Sequence, residues 1–313
     1  MKKGDIILNQ EFIIKSKPPN LITSKPQNSM KELLASIAFA LTIGVQAQTK
    51  DSIDTAQFAV VYDYTVDTFD DEGTSVCDSI QLVVQVGQTV TKSQPLMQYM
   101  KEKGKDIEDD DWETSMAMEH KEVLVHMPTV WINHPEGETL VKDIIFPHTF
   151  EGHEPIPQMK WNLTDDTLTI SGYLCHRAEM TFRGVSWEAW YTEEIPSSTG
   201  PWRLRGLPGI IVKAEGDAHS FVLTELRREA TPITYTPSVD IERMKYSKLL
   251  KYRNQIFGSK QYAKNPYHHI GGNNRTLSIN QYINNITVID NKFIYANGLP
   301  FLQKAHVHQP LEK

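Results

Sequence analysis

Apolar and polar residues alternate with a period of two through the middle of the chain. Every second residue is apolar across residues 178–182 and again across residues 185–191, and Arg183-Gly184 separates the two runs. Such alternation predicts β-strands, and a short break that contains glycine predicts a hairpin turn. A further run, residues 210–215, returns through a turn as residues 220–226. Because short loops join only antiparallel neighbours, this region predicts an antiparallel meander.

Weaker patterns predict further strands on both sides of the meander. Residues 58–66 alternate, residues 79–90 are rich in β-branched side chains, and residues 285–290 and 292–295 have the composition of short strands. Apolar residues at helical spacing within residues 93–104 predict a short helix that ends at Gly104. The elements together predict a mainly β fold, an antiparallel curved sheet or half-barrel with a few packed helices, like the half-barrel of lipoprotein carriers.

The most regular helical pattern covers residues 239–258. Basic residues lie on one side of this segment, and Gly258 stands at a suitable C-cap position. An apolar stripe runs along the other side: Ile241, Met244, Leu249, Tyr252 and Ile256. The pattern predicts a helix packed on one face of the sheet, and a helix lying on a membrane surface is the alternative.

The N-terminal region predicts export. Residues 1–29 are polar, contain several prolines and show no periodicity, whereas Met30 opens a short charged region followed by an apolar run. Val45-Gln46-Ala47 supplies the small residues of a signal-peptidase site. We therefore expect residues 1–29 to be an upstream extension, residues 30–47 to be a signal peptide, and residues 48–313 to form a single domain in the periplasm or outside the cell.

Two absences refine this expectation. The sequence has no cysteine near the cleavage position, which predicts that the exported chain is not lipid-anchored. It also has no second apolar run of bilayer length, which predicts no transmembrane segment in the mature chain. The net charge is −7, without a basic stripe, and this disfavours nucleic-acid binding.

A loop rich in turn residues and large apolar residues lies at the centre of the meander. We call residues 199–209 the signature loop, and its turn-forming and anchoring residues are Gly200, Pro201, Trp202, Gly206, Leu207, Pro208 and Gly209. Pro208 and Gly209 predict a type II turn in which Gly209 takes a positive φ. Trp202 is predicted to anchor the loop in the core, and a solvent-accessible Trp202 in a binding loop is the alternative.

This segment resembles the GLPGLI family of exported Bacteroidetes proteins. The motifs that carry the resemblance are Gly172-Tyr173-Leu174-Cys175, Ala189-Trp190-Tyr191-Thr192, Gly200-Pro201-Trp202 and Gly206-Leu207-Pro208-Gly209-Ile210-Ile211, with Ile210 in place of a leucine. The resemblance covers about 55 residues. It implies a fold and a compartment but no accepted activity, so it supplies no catalytic residue.

Charged residues cluster in sequence around the signature loop. The set is Arg183, Glu188, Glu193, Glu194, Arg203 and Arg205. Paired carboxylates can act as acid and base while arginines hold an anionic substrate. The structural alternative is a cross-strand pair between Arg183 and Glu188, with the other residues capping loops or facing solvent. We expect Arg203 and Arg205 to be exposed.

Cysteines and histidines offer two further sites. Cys77 and Cys175 would pair in an oxidising compartment, or they are two separately buried thiols. Histidines concentrate in residues 120–153, after Met116 and Met118, at His120, His126, His134, His148 and His153. No pair has metal-ligand spacing, so we expect no metal and no other cofactor.

Because no established catalytic motif is present, the sequence favours a non-enzymatic protein that binds or carries an envelope ligand, either a peptide or a lipid. A hydrolase, most plausibly a peptidase, that uses the glutamates and histidines is the first alternative. A periplasmic metal-binding protein built on residues 116–153 is the second.

Overall fold

The computed structural model describes residues 51–70, 72–104, 125–145, 148–228, 230–237, 241–259 and 307–313, together with the backbone of four short strands between residues 277 and 301. All of them belong to one unit, Lys50–Lys313. The predicted extension and signal peptide, residues 1–47, lie outside the described residues.

The described chain is mainly β, as predicted. Its large sheet contains β1 (Asp51–Phe69), β2 (Ser75–Gly87), β3 (Thr91–Pro95), β4 (Thr129–Ile132), β5 (Glu138–Ile145), β6 (His148–Pro155), β7 (Asn162–Ile170), β8 (Tyr173–Phe182), β9 (Val185–Thr192), β10 (Ile210–Gly216), β11 (His219–Arg227), β12 (Thr231–Tyr235) and β13 (Ile241–Lys245). The helices are α1 (Leu96–Glu102) and α2 (Tyr246–Phe257). A small antiparallel sheet contains β14 (Leu277–Ser278), β15 (Ile286–Ile289), β16 (Lys292–Tyr295) and β17 (Pro300–Phe301).

The large sheet is open and mixed. Its strand order is β13-β6-β5-β4-β3-β2-β1-β11-β10-β9-β8-β7, and β12 pairs with the first part of β1. Neighbours are antiparallel throughout, except that β13 runs parallel to β6. The predicted meander is therefore confirmed in β8 to β11, whereas an all-antiparallel sheet is wrong at the β13 edge.

The core lies against one face of this sheet. On β1 the alternate residues Val60, Tyr62, Tyr64 and Val66 are buried there together with residues of the signature loop and α2. The opposite face of β1 is buried under α1, where Tyr99 packs with Ala59, Val61 and Val83. Helix α1 thus covers one face of β1 and β2, and the core that the signature loop and α2 share covers the other, as the hydrophobic effect requires of a strand that is apolar on both sides.

Helix α2 begins later than the sequence pattern predicts. Residues 241–245 form strand β13, because their backbone pairs with β6 from Ile241 opposite Thr149 to Lys245 opposite His153. The helix starts at Tyr246 and reaches Gly258, its C-cap as predicted, although Gly258 has a φ of −79°. Tyr246 and Leu249 pack over Gly152, where an added Cβ would lie 2.9 Å from Leu249 Cδ2.

The β8–β9 hairpin turns where the sequence predicts. Arg183 has a φ of 47° and Gly184 a φ of 75°, the left-handed pair of a tight hairpin. The turn points Arg183 toward the edge of the core, and this placement matters for the site below. Among the described residues, no helix has the length and apolar character needed to cross a bilayer.

Candidate functional site

The signature loop folds into the core between β9 and β10. Trp202, Leu204 and Leu207 are buried, and the Trp202 ring lies 6.2 Å from the Trp187 ring. Leu204 N donates to Pro201 O at 3.0 Å, which closes a tight turn around Trp202. Trp202 is therefore a core anchor in this structure, and its φ of 55° is an uncommon conformation that this packing holds in place.

Gly209 is required for a different reason from the predicted one. The positive φ in this part of the loop belongs to Gly206, at 94°, and not to Gly209, so the predicted type II turn with a left-handed Gly209 is wrong. A Cβ at Gly209 would instead lie 1.9 Å from Thr192 O. Glycine is needed there because two backbone segments meet, which periodicity and turn statistics do not register.

Arg203 lies at the centre of a buried group of charges. Its side chain is 1% exposed and forms ion pairs with Glu154 and with Glu312, the latter at 3.1 Å between Nη1 and Oε1. Arg183 contacts the same two carboxylates, and its Nη1 donates to Glu312 Oε2 at 2.8 Å. We call these four residues the charge cluster.

An aromatic ring lies beside both arginines of the charge cluster. The guanidinium carbon of Arg203 is 4.7 Å from the centre of the Tyr246 ring, and that of Arg183 is 5.2 Å from it. Burial lowers the pKa of Arg203, but Glu312, Tyr246 and Glu154 together outweigh burial and raise it. Burial has the opposite effect on the Tyr246 hydroxyl and raises its pKa. The cluster therefore consists of two arginines and two glutamates, of which Arg203 and Glu312 are buried and Arg183 and Glu154 are partly buried.

Glu312 belongs to the C-terminal residues 307–313, which we call the tail. The tail lies along a groove formed by the end of β1, the β8–β9 and β10–β11 turns, and α2. Val307 exchanges two backbone hydrogen bonds with Phe69, His308 N donates to Phe257 O at 3.0 Å, and Lys313 N donates to Arg183 O at 2.8 Å. Asn254 Nδ2 donates to Glu312 O at 2.7 Å.

Side chains of the tail complete this docking. Leu311 is buried in the main core cluster, and Lys313 Nζ lies 2.7 Å from Asp217 Oδ2. His308 packs edge-on against His126, which stacks on Phe257. A cavity of about 30 Å³ remains between the tail, Tyr64 and α2. We call the surface that receives the tail the tail groove.

The remaining charged residues of the predicted set do not join the charge cluster. Glu188 accepts from Arg177, with Nε to Oε2 at 2.9 Å, so the predicted pair between Arg183 and Glu188 is wrong. Arg177 lowers the pKa of Glu188. Glu193 is exposed, and Glu194 accepts from the Leu174 backbone N–H at 3.0 Å. The predicted exposure of Arg203 is also wrong, because the tail and β6 cover it.

Arg205 lies on the other side of the signature loop, in a separate pocket of about 210 Å³. The loop fixes its backbone, because Trp161 Nε1 donates to Arg205 O at 2.8 Å and Thr199 bridges to Arg205. Burial lowers the pKa of Arg205, and no carboxylate among the described residues opposes this effect. The two arginines of the loop thus occupy opposite electrostatic environments.

Among the described residues, the cysteines form no disulfide and the histidines form no metal site. Cys77 is exposed and Cys175 is buried, and both are free, so the pairing hypothesis is wrong for this structure. Four strands separate β2 from β8 in the sheet, whereas a disulfide needs the two Cα atoms within about 7 Å. Burial raises the pKa of the Cys175 thiol. No group of three metal-ligating side chains occurs in the described chain, and His120 lies outside it.

Comparisons with known proteins match the signature segment. A family described as "Protein of unknown function (Porph_ging)" matches residues 182–213, from the end of β8 into β10. This short match supports a resemblance to an uncharacterised family, and the more specific GLPGLI assignment stays a prediction. No curated protein matches the chain.

Solved structures give a weak likeness. "Structure of PNGF-II in P21 space group" has 15% identity and a TM-score of 0.40, over 65% of this chain and 33% of that chain. "Structure of PNGF-II in C2 space group" has 14% identity and a TM-score of 0.40, over 62% of this chain and 32% of that chain. The chain therefore spans about a third of the length of both. A likeness this weak carries no argument about this protein, and the resemblance to lipoprotein carriers also stays a prediction.

Proposed function

We propose that the protein is an exported, non-enzymatic binding protein whose tail groove holds an extended peptide. The observation that carries the proposal is that the groove already holds one, the protein's own tail. The ligand that fits is a peptide with an apolar residue followed directly by an acidic one, as in Leu311-Glu312.

Charge explains why the groove selects an acid. Without Glu312, Arg183 and Arg203 would share the single carboxylate of Glu154, and an excess positive charge would remain in a buried site. An unbalanced buried charge costs several kcal/mol, on the order of 3–5 when one partner of a pair is removed. A carboxylate at the position of Glu312 is therefore the main requirement that the groove places on its occupant.

Backbone contacts explain why the occupant is a peptide. Phe69, Phe257, Arg183 and Asn254 bond to main-chain atoms of the tail, and such bonds do not depend on the side chains that the occupant carries. Recognition of an extended peptide commonly combines main-chain bonds with pockets for a few side chains. Here Leu311 and Glu312 fill those pockets.

The same geometry favours a peptide over a lipid. The cavity beside the tail measures about 30 Å³, which corresponds to roughly one water molecule. Binding sites for ligands of drug size measure about 300–1,000 Å³. The tail groove therefore accommodates a chain that replaces the tail rather than an acyl chain beside it.

The hydrolase alternative loses the carboxylates on which it was based. Glu188 is engaged by Arg177, and Glu193 is exposed away from the charge cluster. Within the described residues, Glu154 and Glu312 are both engaged by arginines, so neither is poised as a general acid or base. The described side chains that converge here hold charge in place.

Peptide titration tests the proposal. The probe is a labelled peptide with the sequence of residues 307–313, titrated into the full chain and into the double variant Leu311→Ala/Glu312→Gln, whose own tail docks weakly. We expect saturable binding that is at least tenfold tighter for the variant, because its groove is vacated more often. A probe with glutamine in place of its glutamate should lose that binding.

The control is Arg228→Gln, which changes an exposed arginine outside the tail groove and should bind the probe as the parent chain does. Hydrogen exchange on the parent chain gives a second readout, since excess probe should increase exchange in residues 307–313. A variant that melts cooperatively yet shows no saturable binding, or unchanged exchange in the parent, would contradict the proposal.

Export rests on the pattern of residues 30–47. We expect protein isolated from the native cell envelope to begin at Gln48, and N-terminal sequencing measures this directly. A chain that still begins at Met1 or Met30 would contradict the proposed compartment and leave the groove unaffected.

A further inference from the structure

The pocket around Arg205 differs from the tail groove in its electrostatics. Arg205 is half-buried, and its Nη1 is buried without a hydrogen-bond partner. Both arginines of the charge cluster contact two carboxylates, whereas Arg205 contacts none among the described residues. Removing a guanidinium from water without a counter-ion is unfavourable, so the pocket is electrostatically incomplete.

The walls of the pocket supply both polar and apolar contacts. Thr91 and Thr199 line it, and their hydroxyls make no hydrogen bond within the described part of the chain. Two isoleucines, Ile132 and Ile156, form the apolar part of the lining. Hydroxyl donors beside a guanidinium suit an oxyanion, and the isoleucines suit a short branched apolar group attached to it.

The remaining polar groups at the pocket are already engaged. Asn133 Nδ2 donates to Thr89 O at 3.1 Å and its Oδ1 accepts from Gly137 N at 2.8 Å. The Thr89 hydroxyl donates to Asp54 Oδ2 at 3.1 Å. Asp54 is in turn engaged by the backbone of Thr89 and Val90, which lowers its pKa against the opposing effect of burial. These bonds fix the shape of the pocket and leave Arg205 as its free charge.

We propose that the Arg205 pocket binds a carboxylate group that carries a short apolar moiety, with the guanidinium as its counter-ion. A carboxylate matches the planar fork of arginine, which can donate two parallel hydrogen bonds to it. The volume of about 210 Å³ is below the usual range for drug-sized ligands, so the occupant is a small acid or the end of a larger chain. This site is separate from the tail groove and does not depend on it.

Calorimetric titration of the full chain tests the assignment. The two probes are 3-methylbutanoate, a free small acid, and N-acetylvaline, which presents the carboxylate of a peptide end. The neutral control is 3-methylbutanamide, which has the shape of the first probe without its charge. We expect saturable binding of at least one carboxylate and none of the amide, and the tighter carboxylate identifies the source.

Variants connect the binding to this pocket. Arg205→Gln should weaken carboxylate binding about tenfold or more, because a hydrogen bond to a charged group contributes about 1.5–3 kcal/mol. Thr199→Val should weaken it less, and Arg228→Gln, which changes an exposed arginine, should leave it unchanged. Should Arg205→Gln fold poorly, Arg205→Lys keeps the charge but loses the fork, and it should bind more weakly than the parent chain.

Three results would overturn the proposal. The first is no saturable binding of either carboxylate to the parent chain. The second is equal affinity in the parent chain and in a folded Arg205→Gln variant. The third is binding of inorganic phosphate that depends on Arg205 and is tighter than that of both carboxylates, because the pocket would then not be built for a carboxylate.

Discussion

Arg203 and Arg205 are two residues apart in one loop, yet their surroundings are opposite. Arg203 is 1% exposed, and two carboxylates hold its charge inside the protein. Arg205 is half-buried beside a pocket, without any carboxylate in the described residues. The comparison shows that burial alone does not reveal the role of a charged side chain. An arginine whose charge is balanced by carboxylates indicates a stabilising role, and an arginine without a counter-ion indicates a place for a ligand.

Arg203→Ala should cause the largest loss of stability among the variants that test this comparison. The substitution leaves Glu154 and Glu312 to share the single cation of Arg183, so that one buried negative charge is unbalanced. This should lower the free energy of unfolding by about 3–5 kcal/mol. Urea denaturation measures this loss, and Arg228→Ala, at an exposed position, is the control. A loss below about 1 kcal/mol, the range of surface ion pairs, would show that the cluster is solvated and the comparison mistaken.

Substitutions at two glycines of the same loop should also lower the free energy of unfolding by different amounts. Gly209→Ala should lower the free energy of unfolding by about 3 kcal/mol, because the new Cβ would meet the Thr192 carbonyl at 1.9 Å. Gly206→Ala keeps open space around its Cβ and pays only for a positive φ, about 1–2 kcal/mol. Equal losses in thermal or urea melts would mean that the approach of Gly209 to β9 is not as close as described.

The stability of the protein should also depend on pH through a histidine beside the tail. His219 lies beside the tail, where its Nδ1 is 2.9 Å from the Tyr64 hydroxyl, and burial lowers its pKa to about 4. The Pro310 carbonyl, Asp217 and Asp67 oppose this effect, and Arg253 adds to it. The unfolded state binds the proton on His219 more readily than the folded state does. The contribution of neutral His219 to the free energy of unfolding is therefore fully present above about pH 6.5 and falls as the pH approaches 4.

The expected loss over that pH interval is about 3 kcal/mol. Urea melts from pH 7 to pH 4 measure it, and His219→Gln should remove this part of the pH dependence. His148→Gln, at an exposed position, should leave the slope unchanged. A parent chain whose stability does not fall in this range, or a slope that survives His219→Gln, would contradict the burial of a neutral His219.

The smallest expected effect is on the pocket side. Arg205→Gln should change the free energy of unfolding by less than about 1 kcal/mol, since Arg205 has no ion pair with any carboxylate that the structure describes. Its backbone bond to Trp161 does not need the side chain. A loss as large as that of Arg203→Ala in the same urea series would mean that Arg205 supports the fold and is not held for a ligand.

Local sequence pattern predicted the regular parts of this structure. The hairpin at Arg183-Gly184, the strands that follow the signature loop and the anchoring role of Trp202 are confirmed, because alternation and turn chemistry act over a few residues. The predicted start of α2 at residue 239 is wrong. Pairing of β13 with β6, a contact remote in sequence, overrides the helical pattern there.

The charge cluster could not be predicted from the sequence, because its contacts are also remote along the chain. Glu154 and Glu312 lie far from Arg203 along the chain, and no spacing rule connects them. Trp202, Arg203 and Leu204 are buried in succession, so the inward–outward alternation of a strand does not apply in this loop. The closest signal was the cationic residue between two large apolar ones, which sequence reasoning assigned to solvent.

The contact between the signature loop and the tail is the central claim, and a double-mutant cycle of Arg203→Gln and Glu312→Gln tests it most directly. Urea denaturation of the parent chain, both single variants and the double variant gives the coupling energy. We predict a favourable coupling of about 2 kcal/mol, so that the double variant loses less stability than the two single losses added together. Additive losses would show that Glu312 does not meet Arg203 in solution, and the tail would then not occupy the groove.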